Sequence, residues 1–559
     1  MKKVVYKVVA SVLAIAMISA ATSCSRSAGS SSSTTSASSG SGSSNAATVT
    51  PFTVNWYVNL PSWKWSGEGW GKDLTSQIVQ QKTGANIQFT VATSDDNQQL
   101  TTMIASGNLP DVITMDAWWD SNTRMLCSQM SSQGYLISFN DLIDKYDANL
   151  GKVARKDVLN WYAESDGKTY VYPNYAYSSQ DVGTNEHLVP NRCITVNKEM
   201  YEKIGSPDMS TPEKFLAACQ KAKDEVKTYN GQSVVPIQLY ESGNEAVSII
   251  EQYFAVPYED ESGNFLYDFN QPKFKEGLQF LNSAYQKGLI SAANFSETRD
   301  NVNESVASGR VFCMITAPQD FTTQLQTLYA KDSKAVYVPV LLRNQEGDDP
   351  VLSDIRGWGW LVNCVSKKAK NPDKIAKLFE YLISDQGQID MTYGKEGVTY
   401  AYTSNKKIKM TDDYTQALAN NNAKKYGVGA FNLLLNYAFT RHYDTTPTDP
   451  MLLATTDTYI KAPMSKYSYD ESAEGLKLDP KDSQYTAMKK LQTSVDQYRT
   501  QEIAKLITAK NDNAFNAEYD AAWKTLQSMG VENLIKYDNT GFQTAKKALG
   551  ISRSWPTLK

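Results

Sequence analysis

ASGNLPDVITMDAWWD, Ala105 to Asp120, is the stretch on which the fold turns. Leu100, Met103 and Ile104 share one helical face, Gly107 supplies the stop, and Val112, Ile113 and Met115 follow Pro110 as a short run apolar on both sides. A strand of that kind, entered from a helix, belongs in a sheet covered on both faces, and so in an α/β architecture. Asp116, Trp118, Trp119 and Asp120 then stand just past a strand's carboxyl end, where open α/β sheets bind ligands.

The same alternation extends in both directions. Phe52 to Val58 (FTVNWYV) has strand period, Leu74 to Lys82 reads as a helix ending at Gly84, and Ile87 to Val91 reads as the next strand. Further on, Ser210 and Glu213 have capping-box spacing with Pro212 at the first helical position, ahead of Phe215, Leu216 and Cys219. Phe274, Leu278, Leu281 and Tyr285 form another helical stripe closed by Gly288, and Asn371 with Pro372 starts a helix facing inward through Ile375, Leu378, Phe379 and Leu382. This pattern predicts α/β lobes with mainly parallel sheets. At 559 residues the chain exceeds what one core holds, which predicts two lobes.

The N-terminus has its own logic. Lys2, Lys3 and Lys7 precede an almost uninterrupted apolar stretch from Val8 to Ala21, and the small residues Ala21, Thr22 and Ser23 lead into Cys24. That is a secretory signal, shorter than the ~18 to 20 apolar residues that span a bilayer. From Ser25 to about Ala47 the chain is nearly all Ser, Thr, Gly and Ala, a flexible tether with too little apolar surface to order itself.

Composition narrows the chemistry. The formal charge is -4, and removing a leader with three lysines and no acid takes it to -7, which disfavours nucleic acid and anionic lipid surfaces as partners. His187 and His442 are the two histidines, too few for a His-rich zinc site. Cys127, Cys193, Cys219, Cys313 and Cys364 are irregularly spaced and several lie in apolar runs, as buried small hydrophobes do. No G-x-S-x-G, H-E-x-x-H or phosphate loop occurs.

Several segments, in order, resemble the bacterial extracellular solute-binding proteins of family 1, in particular the long lipoproteins of carbohydrate importers. They are ASGNLPDVI (105–113), DGKTYVYP (166–173), ITVNKEMYEKIG (194–205), FKEGLQFLNSAYQKGLI (274–290), ASGRVFCMI (307–315) and YGKEGVTY (393–400), with a looser match at EYDAAWKTLQSMG. The leader likewise resembles a lipobox, which implies diacylglycerol transfer to the Cys24 thiol and cleavage before it. The resemblance implies a type II, periplasmic-binding-protein-like clamp of two α/β lobes joined by two or three hinge strands. The expected division is a signal over 1–23, lipidated Cys24 and tether over 24–50, first lobe over 51–188 and second lobe over 189–355. A return to the first lobe over 356–400 and a mainly helical part completing the second lobe and the cleft over 401–559 would follow. Crossings are expected near His187 to Cys193 and Asp354 to Trp360. Relatives of this length often carry a calcium loop, but TYNGQSVVPIQ (228–238) has no carboxylate, so no calcium is expected there and no cofactor anywhere. DANLG at Asp147 and NDN at Asn511 remain weak ion candidates.

Sugar recognition needs flat apolar faces for C–H edges and planar donors and acceptors for hydroxyls. Trp118 and Trp119, between Asp116 and Asp120, match that need and lie where the family's sugar-stacking residues lie. Asn59 and Trp63 follow the first strand, and Asp95 and Asn97 the second, although inter-element packing and helix capping account for such residues equally well. Tyr177, Trp358 and Trp360 flank the expected crossings. Tyr240, Glu241, Gln319 and Asp320 follow strands of the second lobe.

Three readings stay open. One is a lipid-anchored monomer on the outer face of a bacterial cytoplasmic membrane that captures a carbohydrate and delivers it to ABC permease subunits, without catalysis. Another is the same clamp with a peptide or signalling ligand, and the third is an extracellular glycoside hydrolase.

Overall fold

The computed structural model describes residues 49–94, 97–116, 121–164, 166–174, 192–240, 243–354, 359–436, 439–440, 443–445, 467–475, 477 and 482–551. The signal, Cys24 and most of the tether lie outside this set.

The first lobe grows from Phe52–Asn59, whose Val54, Trp56 and Val58 are buried. It pairs in parallel with Ala85–Val91 (Phe52 opposite Ala85) and with Val112–Asp116 (Asn59 opposite Met115). The helix Leu74–Thr83 makes the first crossover. Asp73 caps its start by accepting from the Ser76 amide, and Gly84 ends it at φ 75. A Cβ at Gly84 would lie 2.7 Å from the Thr50 carbonyl oxygen, so the left-handed turn and the tight approach both require glycine.

Leu361–Ser366 completes the sheet antiparallel to Val112–Asp116, with Leu361 opposite Asp116. Leu136–Ile137 and Tyr172–Pro173 both pair with it. In space the order is 85–91, 52–59, 112–116, 361–366, 136–137.

The second lobe has the order 337–339, 193–197, 311–316, 235–238. Val311–Thr316 runs parallel to Val235–Gln238 and antiparallel to Cys193–Asn197. The expectation of mainly parallel sheets holds except at one reversed strand in each lobe, Cys193–Asn197 in the second and Leu361–Ser366 in the first. Cys193–Asn197 and Leu361–Ser366 each follow a passage from the opposite lobe. Each enters its sheet at the edge where the neighbouring parallel strands end, and so must run the other way.

Local sequence signals transfer well to the helices. Pro272–Gln286 buries Phe274, Leu278 and Leu281, and Pro372–Ile383 buries Ile375, Leu378, Phe379 and Leu382. At Pro212–Lys221 the cap is Thr211, accepting from the Lys214 amide, and not Ser210, because Pro212 already occupies the first helical position. Cys127, Cys193, Cys219, Cys313 and Cys364 are buried and form no disulfides. Among the described residues no helix is long and apolar enough to cross a membrane.

The C-terminal part divides between the lobes. Phe431, Leu433, Leu434 and Leu435 share the first lobe's core with Trp56 and Phe379, so this part of 401–559, expected to complete the second lobe and the cleft, builds the first lobe. The helices Tyr485–Ile507, Asp512–Met529 and Val531–Leu549 contribute Val495, Leu506, Phe515, Leu526 and Leu534 to the second. Asn282 fastens them by donating to the Ile507 and Ala509 carbonyls at 2.9 and 2.7 Å.

A buried polar chain crosses the first sheet. Trp56 Nε1 donates to Thr114 Oγ1 at 2.7 Å, Thr114 donates to Asn363 Oδ1 at 2.6 Å, and Asn363 Nδ2 reaches the Leu433 and Tyr172 carbonyls. Beside it the backbone of Gly359 lies against the other strand entering this edge. A Cβ there would meet Pro173 Cβ at 2.8 Å and Asn174 Oδ1 at 2.9 Å.

Two substitutions test these contacts by thermal and denaturant unfolding. Thr114→Val leaves the Trp56 N–H and Asn363 carbonyl unpaired without changing volume, and should cost about 1–3 kcal/mol. Gly359→Ala should cost about as much by overpacking two backbones that cannot separate without moving the crossing.

Candidate functional site

The chain passes between the lobes three times: between residues 174 and 192, between 354 and 359, and between 445 and 467. The first passage joins one edge of each lobe's sheet, leaving from Asn174 beside Leu361 and arriving at Cys193. On the first lobe that edge holds the ends of 52–59 and 112–116 and the start of 361–366. On the second it holds the ends of 235–238 and 311–316 and the start of 193–197. The strand ends of the two lobes therefore border one cleft, the location an open α/β sheet gives its ligands.

The first lobe presents amides and hydroxyls at this edge. Asn59 is buried, with its Nδ2 donating to Asn97 Oδ1 at 2.5 Å, and the Tyr57 hydroxyl lies 3.2 Å from both Asn59 Oδ1 and Gln99 Oε1. Asn97 precedes the helix Gln98–Ser106 at φ 57, in the left-handed region that asparagine tolerates, and makes no side-chain cap. Asp116, half-buried, ends its strand opposite Leu361. Trp360 is half-buried and packs against the first lobe's core beside that strand.

Trp63 is a core ring and not a free stacking surface. It is 7% exposed, its Nε1 donates to Asn432 Oδ1 at 2.8 Å, and it packs 5.1 Å from Phe89. Trp65, Trp70 and Phe431 close the same cluster. The aromatic loop after the first strand caps the sheet edge because its rings outsize the strand exit and fold back onto Phe89.

The second lobe presents charge. Arg299 begins the helix Arg299–Ala307 and stacks over Tyr240 and Phe321, its guanidinium 4.8 and 5.1 Å from the ring centres. It donates to the Tyr240 hydroxyl at 3.0 Å and to the Asp320 carbonyl at 2.6 Å, and stands 3.6 Å from the Asp320 carboxylate. Surrounding protein pushes the Asp320 carboxyl above its usual range while Arg299 and Arg192 pull it down. The same side chain keeps 39% of its surface accessible, as a group on a cleft wall does, so water reaching it tempers that desolvation. Arg192 donates to Ser248 Oγ at 3.0 Å.

Of the sequence candidates, Asn59, Asn97, Asp116 and Trp360 lie at the first lobe's edge, and Tyr240 and Asp320 at the second's. Asp95, Trp118, Trp119, Asp120, Tyr177, Glu241 and Trp358 lie outside the described residues, as does the side chain of Gln319. Arg299 was not anticipated. The available signal was a cation at the first position of a helix, where the macrodipole disfavours it and some other contact must hold it.

Among the described residues no group of three or more His, Cys, Asp or Glu is placed to hold a metal ion. Thr228–Tyr229 and Gln232–Ser233 form a hairpin through Asn230 and Gly231, both at positive φ. Asn511 caps the helix Asp512–Met529, and Asp147 Oδ1 closes a local turn by accepting from the Asn149 amide.

Comparison with known proteins agrees with this architecture. Residues 66–389 match the model of the bacterial extracellular solute-binding protein family. The fructooligosaccharide ABC transporter substrate-binding protein FusA of Streptococcus pneumoniae is 26% identical over 246 residues, which covers 42% of this chain and 44% of that protein. The chain thus spans less than half the length of this curated relative. Among solved structures, S. pneumoniae FusA in complex with kestose superposes with a TM-score of 0.63 at 17% identity, covering 89% of this chain and 100% of that one. An HMO-binding ABC-transporter-associated solute-binding protein from Bifidobacterium longum infantis gives 0.61 at 15% identity, over 88% and 99%. The fold is accordingly the two-lobed type II clamp. With more than half of its length matched by that model, the chain belongs to the bacterial extracellular solute-binding protein family.

Proposed function

We propose that this protein captures an oligosaccharide between its lobes and delivers it to an ABC-type importer, from a lipid anchor at Cys24 on the outer face of the cytoplasmic membrane. The observation that carries this reading is the pair of facing strand-end edges, one of amides and hydroxyls and the other of an arginine, a phenol and a carboxylate. Such groups suit a ligand dense in hydroxyls, which both donates and accepts at every carbon. Binding alone meets the thermodynamic need, since a ligand that prefers the closed arrangement closes the lobes without any bond being broken. The fructooligosaccharide and kestose in the names of the similar proteins support this ligand class.

In this reading 1–23 is removed on export and 24–50 holds the body off the membrane. The lobes divide at the first two passages, near 188 and 355, and a monomer engages the permease subunits. Asp116, Tyr240 and Asp320 hydrogen-bond ligand hydroxyls, and Trp360 offers its remaining ring face. Trp118, Trp119, Asp120, Asp95, Tyr177, Glu241, Gln319 and Trp358 stand as further ligand contacts on sequence grounds.

Titration of the purified protein with a panel of oligosaccharides, following tryptophan emission and reducing ends together, should give saturable quenching without product. Steady release of reducing ends identifies a hydrolase, and saturation by peptides alone identifies a different clamp. Asp116→Ala and Tyr240→Ala should each weaken binding by roughly 5- to 150-fold, the loss of about 1–3 kcal/mol when a desolvated hydrogen-bond partner is removed. Cys24→Ala should move the protein from the membrane fraction to the medium on cell fractionation, since acyl chains supply the anchorage.

A further inference from the structure

A cavity of about 330 Å³ lies in the second lobe between the helices Asn244–Tyr253, Tyr485–Ile507 and Val531–Leu549. Its character is written in the long helix. Lys489, Gln492, Asp496 and Arg499 recur at three- and four-residue spacing, so they share one face, and all four line the cavity. A polar stripe thus stands where a packed helix ordinarily turns apolar residues inward. Asp538, one turn beyond Leu534, meets it from the last helix.

The described lining is short of positive charge. Its carboxyls are Glu251, Asp268, Glu471, Glu474, Asp496 and Asp538, six against the four cations Arg192, Lys477, Lys489 and Arg499. Two of those cations are already engaged, Arg499 with Asp268 at 2.5 Å and Lys477 with Glu474. Burial pushes the Asp538 carboxyl up to about 6 in spite of Lys477 nearby.

Three polar atoms of the lining also lack partners. Asp538 is 3% exposed and its Oδ1 accepts no hydrogen bond, and Gln492 Oε1 accepts none either. The buried Tyr267 hydroxyl has Arg499 over its ring, 5.2 Å from the centre, but no hydrogen bond. Carboxylate and amide oxygens only accept, so whatever completes this lining brings N–H or O–H donors. Val256, Pro257, Phe265, Leu266 and Leu534 supply carbon surface between the charges. Among the described residues no three His, Cys, Asp or Glu are grouped to hold a metal ion, so a bare cation has no coordination shell here.

We propose that this cavity is a second ligand site, separate from the cleft, that takes a small organic cation: an alkyl chain ending in ammonium groups, of the diamine class. The assignment goes beyond the oligosaccharide reading and does not depend on it. One ammonium brings three donors and a charge to Asp538 and Gln492, and a second offsets the rest of the lining's excess of carboxyls. The chain between them lies on the carbon surface, and the cavity has the volume of a small-molecule site. Tyr240, Arg299 and Asp320 of the cleft wall are absent from the lining. Arg192 stands between the two, lining the cavity and drawing down the Asp320 carboxyl.

Calorimetric titration of the full chain with putrescine tests the assignment, beside the uncharged diol of the same chain length and calcium chloride. Putrescine should saturate and raise the unfolding temperature, while the diol and calcium do neither. Asp538→Asn, which keeps the shape and removes the charge, should weaken putrescine by roughly 10-fold or more, the loss of a charged hydrogen-bond partner. Gln492→Lys, which gives the lining an ammonium of its own, should abolish binding, and it carries the test if Asp538→Asn fails to fold. No saturation by putrescine, equal binding of the diol, saturation by calcium alone, or unchanged affinity in a folded Gln492→Lys protein each overturns the site. Displacement of putrescine by an oligosaccharide overturns its separateness from the cleft. If putrescine saturates and no oligosaccharide binds, this site stands and the sugar reading falls.

Discussion

The Asn363 amide is the tie on which the first lobe depends. It lies fully buried on the strand that comes back from the other lobe, and links that strand to Val112–Asp116 through Thr114 and to Phe52–Asn59 through Trp56. Its two donors reach the Tyr172 strand and the Leu433 segment. A returning strand has no short local connection to hold its register, and its apolar faces alone would accept a slip. A chain of buried hydrogen bonds that is satisfied in only one register removes that freedom.

What sequence could and could not reveal follows from the range of the forces involved. The strand at Val112, the helix with Leu378 and Phe379 inward, and the stop at Gly84 are set by neighbours within a few residues, so their pattern is written locally. Direction of pairing is not. Nothing near Cys193 or Leu361 indicates an antiparallel strand, since that is decided by where the chain has just been. Trp63 was misleading for a related reason: a tryptophan beside a strand exit has the same local signature whether it faces ligand or turns back onto Phe89. The Arg299 contacts join residues far apart in sequence, at Tyr240 and Asp320, and become visible only in three dimensions.

The two cleft walls differ in physical character. On the first lobe the side chains are neutral and already bonded to one another, as in the run from Tyr57 through Asn59 to Asn97. Such a wall is ordered before a ligand arrives and loses little entropy on binding. On the second lobe, Arg299 is held over two aromatic rings yet remains 40% accessible, so its charge is fixed in place while water still reaches it. Closure would bring an ordered amide surface against a fixed cation, with the three passages setting the path between them.

The five buried thiols bear on the protein's lifetime. Cys127 and Cys364 sit in the first lobe's core, and Cys193, Cys219 and Cys313 in the second's. Burial raises the Cys219 and Cys364 thiols well above their ordinary range, which withholds the reactive thiolate. That protection lasts only while the chain is folded, because unfolding exposes five thiols that no native disulfide has committed. In an oxidising medium, ageing would therefore follow the rate at which the lobes come apart rather than the chemistry of any one cysteine.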